Sequence, residues 1–178
     1  TLTIGIVCKD GLIFAADKRG SMGHYVASDK EDKIVKIADN IVVTTAGAVA
    51  HGQRVFKLIR AELELKRIRA KRVTNVSEAA HLLSGIMMGE THFLVGGLDA
   101  EGFNLYNVLP DGTVEKENYA TSGAYGMFIG NSVLDEKWKS SITVDEAKKI
   151  AKEILKSTVR RDTTVGGGID FAVIRKEG

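Results

Sequence analysis

The chain has 178 residues, 44% hydrophobic and 27% charged, which suits one globular domain with a real core over 1–178. Its 25 basic and 23 acidic residues leave a formal charge of +2, too balanced for a nucleic-acid or membrane binder, and no apolar run reaches membrane-spanning length. A single cysteine, Cys8, excludes an internal disulfide or a cysteine-based metal knuckle and points to a reducing, cytoplasmic setting.

In chain order, two apolar runs at 3–8 and 12–17 flank Lys9-Asp10-Gly11, whose Asp-Gly pair signals a hairpin. A second hairpin follows: residues 34–38, the pair Asp39-Asn40, then the Val/Thr-rich run 41–46. After Gly47 the period changes. Phe56, Ile59 and Leu63 recur at helical spacing, which predicts a helix from near Ala48 to the basic stretch 66–72. Asn75 with Glu78 three residues on forms a capping box, and Ala79, Leu82, Leu83, Ile86 and Met87 stripe the helix it opens. Strands are predicted at 93–98, 103–109 and 114–120, the last two joined by a Pro110-Asp111-Gly112 turn. Residues 127–138 read as helix. Thr143 with Glu146 opens another, striped by Ala147, Ile150, Ala151, Ile154 and Leu155, before the glycine run 166–168 and a strand at 170–175. Strands, two helices, strands, two helices, strand: this order predicts an α+β fold, a four-layer αββα sandwich of two antiparallel sheets flanked by helix pairs.

Thr1 leads the candidate chemistry. As an amino terminus it carries a hydroxyl and an α-amine on neighbouring atoms, and an α-amine with a pKa near ~8 needs little perturbation to act as a base at neutral pH. A first-position threonine is also what methionine trimming leaves behind, so Thr1 alone does not decide. Asp17 shares strand parity with Ile13 and Ala15, and Lys33 shares it with Val35 and Ile37, which points both charges inward and invites pairing. Such a lysine, held cationic near Thr1, disfavours protonation of the amine and stabilises an ionised hydroxyl. On pattern alone, Lys33 among Lys30, Glu31, Asp32 and Lys36 fits a solvated strand start better. Gly47, between strand and helix, suits backbone N–H groups aimed at developing negative charge, or simply a turn.

Other candidates carry less. Gly123-Ala124-Tyr125-Gly126 is not a dinucleotide fingerprint, and the run 166–168 lacks the Lys-Ser/Thr of a phosphate loop. His24, His51, His81 and His92 have no ligand spacing. The cluster Lys66, Arg67, Arg69, Lys71 and Arg72 suits a helix C-terminus or a subunit contact better than RNA.

Taken together, Thr1, Asp17, Arg19 and Lys33 at these spacings, then Thr45-Ala46-Gly47, resemble the proteasome β subunits of archaeal type, N-terminal nucleophile hydrolases. Further agreement lies in Ala61-Glu62-Leu63-Glu64-Leu65, Leu94-Val95-Gly96-Gly97-Leu98-Asp99, Thr143-Val144-Asp145-Glu146-Ala147, and Arg161-Asp162 before the glycine run. The resemblance implies the αββα fold, four stacked seven-membered rings of α and β subunits, an AAA+ ATPase acting on the assembled particle, and hydrolysis of unfolded polypeptides without metal or cofactor. By position it implies Thr1 as nucleophile with its amine as base, Lys33 paired with Asp17 tuning it, and Gly47 N–H as the oxyanion hole. Asp162 would support the amino terminus, and Arg19 would help hold the site. Gly20, Glu31, Val35, Thr45, Val49 and Gln53 would line the pocket for the residue before the cut, with Ser21, Gly47 and Val49 pairing with substrate backbone.

Three departures stand out. Relatives carry serines where this chain has Gly126 and Val165, hydroxyls that bond near the α-amine, and the connection at 88–91 is shorter here. The first two raise the alternative of a weakly catalytic or structural β subunit. A more distant alternative is the bacterial two-ring peptidase that works with an unfoldase.

Overall fold

The computed structural model describes residues 1–87 and 89–177. Strands β1 (Leu2–Cys8) and β2 (Gly11–Asp17) form the first hairpin, whose two turn residues are Lys9 and Asp10, with Gly11 already paired to Cys8. A short hairpin follows, β3 (Gly20–Met22) with β4 (Tyr25–Ser28), which no sequence pattern announced because most of its residues are exposed. Then come β5 (Ile34–Ala38), β6 (Ile41–Ala46), α1 (Val49–Ala70) and α2 (Val76–Ile86). The second half runs β7 (His92–Asp99), β8 (Gly102–Val108), β9 (Val114–Glu117), β10 (Tyr119–Gly123), α3 (Gly126–Lys137), α4 (Val144–Val159) and β11 (Ile169–Ile174).

Both predicted capping boxes form. Asn75 and Thr143 accept from the backbone N–H of Glu78 and Glu146, whose carboxylates reach back to the cap residues. The basic end of α1 is neutralised nearby: Arg67 pairs with Glu64 at 2.6 Å, and Arg72 pairs with Glu78.

All sheet pairings are antiparallel, in two stacked sheets ordered β10-β1-β2-β11 and β5-β6-β7-β8-β9. Leu12, Phe14, Leu94, Leu105 and Ala120 fill the space between them. Ile13, Ala15 and Ile4 pack instead under the α4 stripe of Ala147, Ala151, Ile154 and Leu155, while Val43, Val95 and Phe93 meet Val55, Ile59 and Leu83 of α1 and α2. The layers are therefore α1/α2, sheet, sheet, α3/α4. Strand β2 is buried at every residue because both of its faces are covered, so it is apolar from Leu12 to Ala16 and carries its one charge, Asp17, at its end.

One predicted strand, 114–120, is two. Residues 114–117 pair with β8 in one sheet, and the chain then crosses at Asn118 so that 119–123 pair with β1 in the other. A single strand cannot supply hydrogen bonds to partners in two layers, so the run divides there.

Within the second sheet, β7 passes close to the β5–β6 turn at a glycine. A Cβ on Gly97 would run into the Asn40 carbonyl oxygen, an acceptor already bonded to Leu98 N–H at 3.2 Å. Gly97→Ala is expected to destabilise the protein by about 1–3 kcal/mol, read as a lower denaturant midpoint at unchanged slope.

Candidate active site

A groove of about 780 Å³ opens where β3, β5, β6 and the start of α1 meet the amino terminus. Of the residues singled out from the sequence, Thr1, Arg19, Gly20, Ser21, Glu31, Lys33, Val35, Thr45, Gly47, Val49 and Gln53 line it. Asp17 and Asp162 are buried behind it.

Asp17, at the end of β2, organises the floor. Its Oδ1 accepts from Leu2 N–H at 2.9 Å and from the Lys33 ammonium at 2.6 Å; its Oδ2 accepts from Arg19 N–H at 3.1 Å and Gly166 N–H at 3.0 Å. The carboxylate thereby ties the first strand, the lysine and a distant loop to one point. Lys33 also donates to the Arg19 carbonyl at 2.6 Å. Burial lowers the Lys33 pKa from its ordinary value, against the opposing pull of Asp17.

The loop at 162–166, between α4 and β11, is pinned from two sides. Arg19 donates to the carbonyls of Thr163 at 3.1 Å and Val165 at 3.4 Å, and Gly166 is free of a side chain because the Arg19 guanidinium lies where a Cβ would stand, 2.6 Å from it. This loop holds the amino terminus. The Thr1 amine donates to the Thr164 carbonyl at 2.8 Å and to the Thr164 hydroxyl at 3.3 Å. That hydroxyl donates to Asp162 Oδ1 at 2.6 Å, and Thr164 N–H donates to the same oxygen at 2.9 Å. Burial alone would raise the Asp162 pKa; the Thr164 side-chain and backbone hydrogen bonds and the positive amino terminus outweigh it and hold the carboxyl below its usual range. Its Oδ2 is buried and makes no hydrogen bond of good geometry among the described residues. The amine itself sits below its ordinary value of 8.0, chiefly through burial, with Lys33 and Arg19 lowering it and Asp17 and Asp162 opposing.

Thr164 went unnoticed in the sequence. The available signal was its place two residues after Asp162, the spacing at which a hydroxyl and an amide both fold back onto an aspartate. Gly126 and Val165 both lie in packed surroundings. A Cβ on Gly126 would stand 2.7 Å from Thr158 Cγ2, in the packed base of α3, and Val165 is fully buried in the apolar cluster under α3 and α4. Neither Gly126 nor Val165 offers the amine a hydroxyl, and its two acceptors come instead from Thr164, a carbonyl and a hydroxyl.

Opposite the amine, Gly47 has φ +120°, and a Cβ there would press on the Glu90 carbonyl oxygen at 2.8 Å. The chain enters α1 through Ala48, which provides no side-chain cap, so the first N–H groups of the helix are not taken up by a capping side chain at the groove. Of the short connection noted at 88–91, Met88 lies outside the described residues. A chain of hydroxyls, Thr44–Thr3–Ser122 at 2.8 and 2.7 Å, clamps the two sheets beneath the site. His92 also faces the groove and shares a hydrogen bond with Asn107.

Among the described residues, no group of three or more His, Cys, Asp or Glu side chains is placed to hold a metal. No helix among them is long and apolar enough to cross a membrane.

A family model described as Proteasome subunit matches residues 1–174. The chain is similar to the "Proteasome subunit beta" of Archaeoglobus profundus, 38% identical over 185 residues covering 100% of this chain and 86% of the relative. It is 36% identical to the "Proteasome subunit beta" of Methanobrevibacter smithii over 181 residues, 100% of this chain and 88% of that one. To "Proteasome subunit beta 2" of Pyrobaculum aerophilum it is 37% identical over 181 residues, 98% and 89% of the two.

Proposed function

The chain belongs to the proteasome subunit family, and from that membership we propose that it is a threonine-type endopeptidase subunit of the proteasome core, with Thr1 as nucleophile. The observation that carries the reading is the depressed, doubly held Thr1 amine at the mouth of the groove, backed by the buried Asp17–Lys33 pair. In this reading the neutral amine takes the Thr1 hydroxyl proton, the oxygen attacks a peptide carbonyl, and the N–H groups at Gly47 and the start of α1 stabilise the oxyanion. The ammonium then returns its proton to the leaving nitrogen. The acyl-enzyme is released by water activated the same way. Lys33 and Arg19 keep the amine neutral and so ready to take a proton, while Asp17 and Asp162 keep it basic enough to act. We place the subunit in seven-membered rings with α and other β subunits, in the cytoplasm, fed with unfolded polypeptide by an AAA+ ATPase.

Intact-mass analysis of the assembled particle after treatment with a peptide epoxyketone tests this. A single adduct per chain, mapped to Thr1, is expected. An unreacted chain in an assembled particle would favour the structural-subunit alternative.

Substrate preference follows from the walls. Glu31 packs against Gly20, and its carboxylate makes no ion pair among the described residues; Gln53 and Thr45 line the same groove. A basic side chain before the cut is the complement. Fluorogenic peptides ending in Arg are expected to be cleaved faster than those ending in Leu or Glu, and Glu31→Gln to cut that advantage by about 10-fold. Equal cleavage of all three would sink this assignment.

A further inference from the structure

Nothing in the family resemblance gives the Thr164 side chain a part, and the geometry does. We propose that Thr164 is the positioning residue of the Thr1 amine: its hydroxyl, turned by Asp162, accepts one amine N–H and leaves the nitrogen lone pair free for the Thr1 hydroxyl proton. The proposal rests on the reading of Thr1 as its own base.

The argument is a count of protons. A hydroxyl has one proton to give, and Thr164 spends it on Asp162 Oδ1 at 2.6 Å. Its oxygen therefore faces the amine as an acceptor, 3.3 Å from Thr1 N. The Thr164 carbonyl takes a second N–H at 2.8 Å. A neutral amine has two N–H bonds, and both are now directed into one residue. When the lone pair takes the proton from the Thr1 hydroxyl, the O–H bond breaks, a third N–H bond forms, and the two existing bonds strengthen as the nitrogen becomes charged. The support is rigid on each side, since Arg19 holds the carbonyls of Thr163 and Val165 while Asp17 holds Gly166 N–H. Asp162 cannot hold the amine directly with the oxygen that Thr164 occupies, which makes the threonine the link between carboxylate and amine.

The charges facing the amine are Asp17 from the end of β2, Arg19 just beyond it, Lys33 before β5, and Asp162 after α4. Thr164→Val preserves all four, the backbone carbonyl and nearly the same volume, so it removes the hydroxyl alone. Thr164→Ser returns it.

The experiment compares assembled wild-type, Thr164→Val and Thr164→Ser particles in two readouts. One is kcat and KM against pH on a fluorogenic peptide; the other is the pH profile of acetylation of the Thr1 amine by acetic anhydride, followed by mass spectrometry. Thr164→Val is expected to lower kcat about 10-fold, the worth of one hydrogen bond to a charging group, with KM changed less than about twofold. Losing an acceptor disfavours the ammonium, so the acid limb of kcat and the acetylation profile both move to lower pH, and Thr164→Ser restores both. An acetylation profile identical in wild type and Thr164→Val would overturn the proposal, whatever the rates. A wild-type particle that takes no epoxyketone would overturn the nucleophile reading instead, while a shifted acetylation profile in Thr164→Val would still support Thr164 as the residue that sets the amine.

Discussion

Thr1→Ala is expected to abolish the epoxyketone adduct and to lower peptide hydrolysis by at least about 10³-fold in an otherwise assembled particle. The substitution removes the hydroxyl with its neighbouring methyl and keeps the amine, its bonds to Thr164, and the Asp17–Lys33 pair. Folding should therefore be nearly unchanged, since Thr1 is only half-buried and its side chain faces the groove. Thr1→Ser keeps the nucleophile and is expected to retain adduct formation. The same preparations carry a pH prediction. The amine lies below its ordinary value of 8.0, and only the neutral amine can take a proton. Hydrolysis should rise with pH through that lowered value, a limb seen in kcat/KM of the free enzyme. An acid limb above pH 8 would contradict the burial that lowers the amine. Residual activity in Thr1→Ala equal to wild type would assign the chemistry to another subunit of the same particle.

Lys33→Ala is expected to cost about 3–5 kcal/mol of stability and nearly all activity. The reason is what it leaves behind. Asp17 is 1% exposed and Lys33 7%, so deleting the ammonium strands a carboxylate that water cannot reach. The three backbone N–H groups on Asp17 remain, but they do not cancel a full charge. Asp17→Asn tests the same pair from the other side. Four donors converge on the two oxygens of Asp17, and an amide must turn an NH2 toward some of them, so this near-isosteric change should also destabilise strongly. The double variant Asp17→Asn with Lys33→Met leaves no charge unpaired and is expected to recover part of the stability and none of the activity. Denaturant midpoints for stability and peptide hydrolysis for activity separate the two effects. If the single variants were as stable as wild type, the pair would not be the anchor of the site.

Stability and chemistry meet at this pair because one carboxylate serves both. Asp17 fixes β1 through Leu2, the Arg19 turn, and the 162–166 loop through Gly166. Loss of the pair thus displaces Thr1 and its holder together, and assembly with neighbouring subunits cannot restore a charge buried within one chain.

Much of the arrangement was legible residue by residue. The helical stripes of α2 and α4, their capping boxes and the apolar strand runs depend on neighbours within a turn or a hairpin, and the structure contains them with bounds shifted by a residue or so. Local alternation did not settle Asp17 and Lys33: their parity neighbours pack under opposite helix layers, and the 2.6 Å pairing is a product of the tertiary fold. The residues of the groove were legible through the family pattern, as a set of positions whose meeting point no local rule supplies. The division of 114–123 between two sheets, the β3–β4 hairpin and Thr164 were not legible.

The amino-acid sequence by itself determined the periodic elements, their caps and the αββα order, because those follow from interactions between residues close along the chain. Only the tertiary structure decided which hydroxyl reaches the Thr1 amine. Val165 turns into the core while Thr164 turns to the groove, and that choice depends on Arg19, Asp17 and Asp162, with Asp17 reaching Gly166 across 149 residues and Thr1 reaching Thr164 across 163. Contacts at such separations are set by how layers pack, and a one-dimensional pattern does not encode them.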